Sequence, residues 1–319
     1  MAADKTDDIL QRLPFLKAHG QKYTAQGENG RGQLTAYDIM PGLKLALTEY
    51  SGETMQFHHP VMPYVMQVNY CLKGRMGWIM KNGSGLYLGS GGLSLHMMDC
   101  CSVSSISLPL GFYSGITLFA DLAQLAEKPP EVLDGLGITA KAWHDKFCSG
   151  GELTVLPDVA AAAEIFASLP RIGEAYRPAY FKLKAQELLL FLAMLDMSGL
   201  HSAEGCENQY IEIVKKVHAY LTEHWQERYT IESLSKEYLI NSSLMKKVFK
   251  AVYGKPMAQY MKEYRMNKAA ALLLKTGSSI AGIAVQCGYA SQSKFAAAFK
   301  SVMQLAPAEY RARYAAKKV

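Results

Sequence analysis

Cysteine is scarce in this chain, with six in 319 residues, at positions 71, 100, 101, 148, 206 and 287. None forms a CxxC pair or a zinc spacing, so a disulfide-built scaffold and a zinc finger are both excluded, and reduced thiols are expected. Long apolar runs are missing as well. The longest, Leu188–Leu195, falls far short of the roughly 20 residues that a membrane-crossing helix needs. Met1–Asp8 is polar and acidic, unlike the basic start and apolar centre of a secretory signal, and a cytoplasmic protein without a membrane partner is expected. Phosphate-binding loops, dinucleotide fingerprints and nucleophile elbows are also absent. No cofactor and no enzymatic activity are expected.

Negative charge is thin in one part only. From Asn208 onward there are 18 Lys and Arg against 7 Asp and Glu, a net of +11, whereas the preceding residues carry 16 against 21, a net of −5. A basic module joined to an acidic one suggests a nucleic-acid reader attached to something else.

What the basic part does contain is one pattern written twice. Leu234-Ser235, Asn241-Ser242 and Phe249-Lys250 return as Ile283-Ala284, Ser291-Gln292 and Phe299-Lys300, at offsets of 49, 50 and 50 positions. Each copy reads as a short amphipathic helix, a tight turn, an Asn or Ser able to cap, and a second helix. Thr230 is placed to cap the first copy, with Glu232 in its first turn, and Ser278 or Ser279 the second, with Gly288 in its turn. Ser243–Val252 is expected to turn Leu244, Val248 and Phe249 inward, and the second copy Phe295 and Phe299. Between the copies, Lys255–Leu274 predicts a helix with Pro256 in its first turn. Two recognition helices held about 34 Å apart would enter successive major grooves of B-DNA.

These residues resemble the C-terminal DNA-binding region of the AraC/XylS family. The matching features are Phe249-Lys250 with Gly254, Tyr260, Arg265, Ala269 and Leu272-Leu273, then Ile280, Ile283-Ala284, Cys287-Gly288-Tyr289, Phe295, Phe299-Lys300, Pro307 and Tyr310-Arg311. They cover about 110 residues and are specific as a set. The resemblance implies a double helix-turn-helix that binds double-stranded promoter or operator DNA, with Ser243, Lys246, Lys247 and Lys250 on the first recognition helix. On the second it implies Gln292, Ser293, Lys294, Ala297 and Lys300. It further implies RNA polymerase as a partner and an activator role. Three positions depart from the pattern: Leu239 and Gln304 stand where glycine is common, and Ala297 where a polar residue is common. The second helix, with Ala296-Ala297-Ala298, is therefore expected to discriminate less between bases.

Upstream, Gln33–Ala120 changes to short alternating runs broken by glycine. Leu43–Tyr50, Tyr64–Leu72, Met76–Met80, Gly85–Leu88, Leu93–Met98, Val103–Leu108 and Gly115–Phe119 read as strands. Turns are expected at Lys73-Gly74, Asn82-Gly83 and Gly89–Gly92. Many short strands without intervening helices indicate an antiparallel barrel or sandwich. The family resemblance implies a cupin-like effector domain here, with Gln67–Gly74 as its strand-turn. Residues 1–32 are polar, with a short helix near Ile9–Leu16. Leu122–Ala126, Glu131–Leu136, Asp158–Ser168 and Pro178–Met197 predict helices, the second of them followed by a loop that runs on through Cys148–Gly151. The last helix is apolar all round in its second half, so it needs cover on more than one side, and a homodimer through it is expected.

The fold class is thus α+β, an N-terminal cupin-like antiparallel β-barrel with helices and a C-terminal all-α double helix-turn-helix domain. The expected boundaries are 1–200 for effector sensing and dimerisation, 201–209 for a linker and 210–319 for DNA binding. A metal cupin needs His-x-His and a following Glu, whereas Phe57-His58-His59-Pro60 offers adjacent histidines, which point to opposite faces of a strand. His96, Met98 and Cys100 alternate onto one face and offer soft donors. With His58 they are the candidate contacts for a small-molecule effector, and packing residues on the bland alternative. Within the family, the barrel region and Asn-Ser-Ser-Leu-Met-Lys-Lys at 241–247 look most like siderophore-responsive regulators of the pyochelin and yersiniabactin type. That implies a ferric siderophore or other metal-related effector. Two alternatives stay open: a constitutive DNA-binding factor whose barrel only dimerises, and a cupin enzyme fused to a DNA-binding module.

Overall fold

Alternation of side chains along one long strand sets the architecture of the first half. The computed structural model describes residues 19–27, 29–58, 61–99, 103–149, 153–198 and 203–315. The chain divides into two compact units, Met1–Cys206 and Glu207–Val319. The expected helix near Ile9–Leu16 lies outside the described residues.

In the first unit the strands are β1 (His19–Gly27), β2 (Gly30–Met40), β3 (Leu43–Gly52), β4 (Thr54–His58), β5 (Met62–Ile79), β6 (Ser84–Gly89), β7 (Leu93–Met98), β8 (Val103–Ser107), β9 (Phe112–Asp121) and β10 (Thr154–Leu156). All described pairs of these strands are antiparallel. β5 is the hub. Its first half lies between β9 and β7 in a sheet ordered β1-β2-β3-β9-β5-β7-β10, and its second half pairs β6 and β8, with β4 beyond β8. Among the described residues these pairings form two open sheets sharing one strand rather than a closed ring. The antiparallel architecture stands, and the closure expected of a barrel does not.

Two glycine-rich stretches behave differently from the expectation, for one reason. At Lys73-Gly74 the strand does not reverse; it bulges between Cys71 and Lys73 and continues into the second sheet. Gly74 has φ +82, and a Cβ there would lie 2.2 Å from the Phe112 carbonyl oxygen, so glycine serves a bend and a close approach. Likewise 19–40, where no strand is expected, forms the hairpin β1–β2. A Cβ on Gly30 would meet the Thr54 oxygen at 2.6 Å.

Helices cover one face of the larger sheet. They are α1 (Leu122–Glu127), α2 (Ala140–Phe147), α3 (Ala160–Phe166) and α4 (Arg177–Met194). Helix α2 replaces an expected loop; Thr139 caps it by accepting from the Ala142 N–H at 3.2 Å, and Trp143 and Phe147 bury its inner face. The helix expected at Glu131–Leu136 is only a 3₁₀ turn, Glu131–Leu133, because Gly135 and Gly137 take φ of +73 and +65. On the sheet face beneath, Met66, Val68 and Tyr70 of β5 join Leu43, Leu45, Leu93, Leu95, Ile116 and Leu118 against Phe166, Phe181, Leu188, Leu189 and Leu192. Each fully buried aliphatic or aromatic side chain contributes about 1.5–3 kcal/mol. The residues expected as a free linker are partly packed: the Ala203 N–H donates to the Val155 carbonyl at 2.8 Å, and Cys206 is buried.

The second unit is all helix: α5 (Asn208–Glu223), α6 (Ile231–Glu237), α7 (Ser242–Tyr253), α8 (Met257–Lys275), α9 (Ile280–Gln286), α10 (Gln292–Met303) and α11 (Pro307–Ala315). Pro256 precedes α8 as its cap rather than sitting within its first turn.

Candidate nucleic-acid interface

The two helix-turn-helix units are built by the same local devices. In the first, the Thr230 hydroxyl accepts from the Ser233 N–H at 3.1 Å to start α6. The Asn241 side chain accepts from the N–H groups of Ser243 and Leu244, at 2.8 and 3.3 Å, to start α7. In the second, Ser279 caps α9 through the Gly282 N–H at 3.0 Å, and Ser291 caps α10 through the Lys294 N–H at 3.3 Å. Each cap satisfies a backbone donor that the first helical turn would leave open, a contribution of about 1 kcal/mol.

Those caps fix which face of each recognition helix is buried. On α7 the inward residues are Met245, Val248, Phe249 and Val252; on α10 they are Phe295 and Phe299. Leu244, expected inward, is only partly buried, because Met245 occupies the position in register with Val248, Phe249 and Val252. The opposite stripe of α7 presents Ser243, Lys246, Lys247 and Lys250, all exposed. On α10, Gln292, Ser293, Lys294, Ala297 and Lys300 are exposed. Every residue expected to face DNA is thus at the surface, at helical spacing on one stripe per helix or in its first turn.

The turns match in backbone and differ in residue. Leu239 and Gly288 occupy equivalent positions and both are left-handed, with φ of +52 and +72. After the recognition helices, Gly254 and Gln304 do the same, with φ of +80 and +61.

Two residues of the motif carry no role assigned from sequence, and they tie each unit together. The Arg265 guanidinium on α8 donates to the carbonyls of Trp225 and Glu227, each at 2.6 Å, just past the end of α5. Arg311 on α11 donates to the carbonyls of Leu273 and Ser278, at 3.1 and 2.6 Å, at the end of α8. Each pair ties the backbone at or just beyond a helix end to a later helix with a charged donor. Burial lowers the Arg265 pKa from its ordinary value. An arginine in the closing helix of each copy is the available signal.

In the N-terminal unit the candidate effector contacts are spread out. His58 lies in β4 opposite Val103, and His96 in β7 opposite Gln67, half-buried. Met98 packs with Leu34, Ala36, Ala46, Met62, Val65 and Phe119. Cys100 lies outside the described residues. Among the described residues, no group of three or more His, Cys, Asp or Glu could hold a metal ion.

Sequence reasoning misses a different group, on the sheet face opposite the helices. Asn69 donates to the Ser94 hydroxyl at 3.0 Å and accepts from Thr117 at 2.9 Å and from Gln67 at 3.0 Å. Thr48 donates to the Gly115 carbonyl at 3.2 Å. Asn69, Ser94, Thr117 and Thr48 are all buried. The polar alternation Gln67-x-Asn69 and Ser94-x-His96 is the readable trace. Toward one end of the same face, a cavity of about 490 Å³ is lined by Asp38, Lys44, Val65, Phe119, Asp121 and Gln124 among others.

Two capped helix-turn-helix units with exposed, lysine-bearing second helices define a tandem DNA-binding domain. Residues 234–313 match the family model described as a helix-turn-helix domain. The chain is 32% identical over 122 residues to the transcriptional activator RhaR of Mannheimia succiniciproducens, covering 38% of this chain and 39% of that protein. It is 29% identical over 98 residues to the melibiose operon regulatory protein of Escherichia coli, 31% of this chain and 32% of that one. Among solved structures, the C-terminal domain of AraT, a response regulator from Geobacillus stearothermophilus, is 31% identical over 32% of this chain and 84% of that chain, with a TM-score of 0.31. The C-terminal unit is an AraC-family helix-turn-helix domain. This chain spans less than two thirds of the length of the curated relatives it matches. Those relatives are named as transcription regulators, not enzymes.

Proposed function

We propose that this chain is a sequence-specific transcription regulator that binds operator DNA through α7 and α10 and answers to a small molecule held by its N-terminal unit. The observation that carries the DNA-binding part is the pair of equivalent, cap-fixed recognition helices in a segment of net charge +11. Lys246 and Lys247 of α7 reach base edges, and Lys250 and Lys300 hold phosphates. Lys247→Ala should weaken operator binding by about 1–3 kcal/mol and relax base choice at one position. Fluorescence anisotropy on operator and scrambled duplexes measures both, and an unchanged discrimination ratio would count against the assignment.

Effector control is supported by the buried polar group around Asn69 and by the neighbouring cavity. The members of that group satisfy one another, so the fold bears them at little cost, and the cavity lined by Val65 and Phe119 is the space a small molecule would occupy. A ferric siderophore is the class that the resemblance of the N-terminal strand region and of 241–247 points to. Titration of ferric siderophores, haem and metal ions into the full-length protein and His96→Ala, reading thermal shift and operator affinity together, tests it. Operator affinity indifferent to every candidate would favour the constitutive factor. The regulator acts as a homodimer through α4 and activates through RNA polymerase, which reconstituted transcription on its own operator would test.

A further inference from the structure

The two recognition helices serve as internal controls on each other. A shift of 50 positions carries the exposed stripe Ser243, Lys246, Lys247, Lys250 of α7 onto Ser293, Ala296, Ala297, Lys300 of α10. The register is fixed at both ends, since Asn241 and Ser291 are the caps and Phe249 and Phe299 the matching buried residues. The outer members of the stripe are the same, a serine at the start and a lysine at the end. Only the central pair differs. Lys246 and Lys247 are exposed, as is Ala297, while Ala296 is partly exposed.

We propose that the two helices read chemically different DNA: α7 a guanine-bearing segment, and α10 a thymine-bearing segment about one helical turn, roughly 10 bp, away. This rests on the DNA-binding reading above and adds the identity of the bases. Lysine carries only donors, and guanine alone presents two adjacent acceptors, O6 and N7, to the major groove. Alanine carries no polar atom at all. Pressed against cytosine or guanine it would strip water from a donor or acceptor and return nothing. Against thymine it meets the one apolar group on the groove floor, the C5 methyl. Gln292, exposed in the first turn of α10, has the paired donor and acceptor that adenine N6 and N7 require. The second helix is therefore a reader of a different kind rather than a blunted copy of the first.

The test uses the full-length protein. Binding sites are selected from random duplexes, and each thymine of the α10 segment is then replaced by deoxyuridine, which removes only the methyl group. The expected loss is about three- to tenfold at one or two positions, with none at thymines outside that segment. Replacing guanine by 7-deazaguanine should act in the α7 segment alone. Ala297→Lys recreates the second lysine of the α7 pair and should shift the selected base at its position from thymine to guanine. Specific binding that is indifferent to deoxyuridine, or guanine selected equally by both segments in the wild type, overturns this inference while leaving DNA binding intact. Failure to bind any duplex specifically removes the regulator reading, and this inference with it.

Discussion

Leu239 and Gly288 show how one backbone shape accepts two residues at different cost. A Cβ on Gly288 would lie 2.3 Å from the Gln226 carbonyl oxygen. Leu239 meets no such obstacle, since it is 91% exposed, and it bears only the left-handed strain. Leu239→Gly should be stabilising by a few tenths to about 1 kcal/mol, relief of strain outweighing glycine's entropy cost. Gly288→Ala should cost at least about 2 kcal/mol, because backbone must move. Hydrogen exchange in α6 and α9 of the two full-length variants reads both changes, and equal effects would contradict the clash. His218 gives the C-terminal unit a pH dependence. It stacks on Tyr253 at 4.1 Å, lies 2.8 Å from the Tyr260 hydroxyl, and burial lowers its pKa to about 4. Between about pH 4 and 6.5 the unfolded chain therefore holds a proton that the folded unit does not. Stability falls as pH drops through that window, by up to about 3 kcal/mol, and flattens below it. Urea titrations of the wild type and His218→Phe across that range should diverge; parallel curves would show that another group is responsible.

At the scale of elements, legibility depends on whether the signal is local. Caps and helical stripes are local, so Thr230, Asn241, Ser279 and Ser291 can be read from the sequence itself, together with the buried Phe295 and Phe299. The helices of the C-terminal unit follow from them. Strand glycines are not local. Gly30 and Gly74 look like loop residues until the partner backbone that forbids a Cβ is seen. That is why sequence patterning misses β1 and β2 and cuts β5 in two. The buried network around Asn69 is illegible for the same reason, because its members come from β5, β7 and β9 and meet only across the sheet. The recognition helices yield a prediction that separates their roles. Lys250→Ala and Lys300→Ala should each reduce the slope of log affinity against log salt by about 1, with sequence preference unchanged. A changed preference with an unchanged slope would move these lysines from phosphate to bases.

For the whole molecule, the question of assembly turns on α4. Its inner face is committed to the sheet through Phe181, Ala185, Leu188, Leu189 and Leu192. That leaves Leu183 and Met194 on the outside, 69% and 75% exposed, in line with the partly buried Leu190 between them. Positions 183, 190 and 194 fall on one helical stripe, and an 18-residue helix runs about 27 Å, long enough for an antiparallel pairing with a second copy. Lys184 and Glu187, ion-paired at 2.7 Å, lie along one side of that stripe. Because Leu183 and Met194 are exposed in the single chain, replacing them would separate a dimer paired through α4 without opening the core, which a change at Leu189 or Leu192 would not. Leu183→Glu with Met194→Glu should therefore give a monomer with an unchanged melting profile, and operator affinity reduced where two copies bind together. Sedimentation of the full-length wild type and the double variant decides it. A wild type that is monomeric at tens of micromolar, or a double variant that remains a dimer, would place the subunit contact elsewhere or remove it.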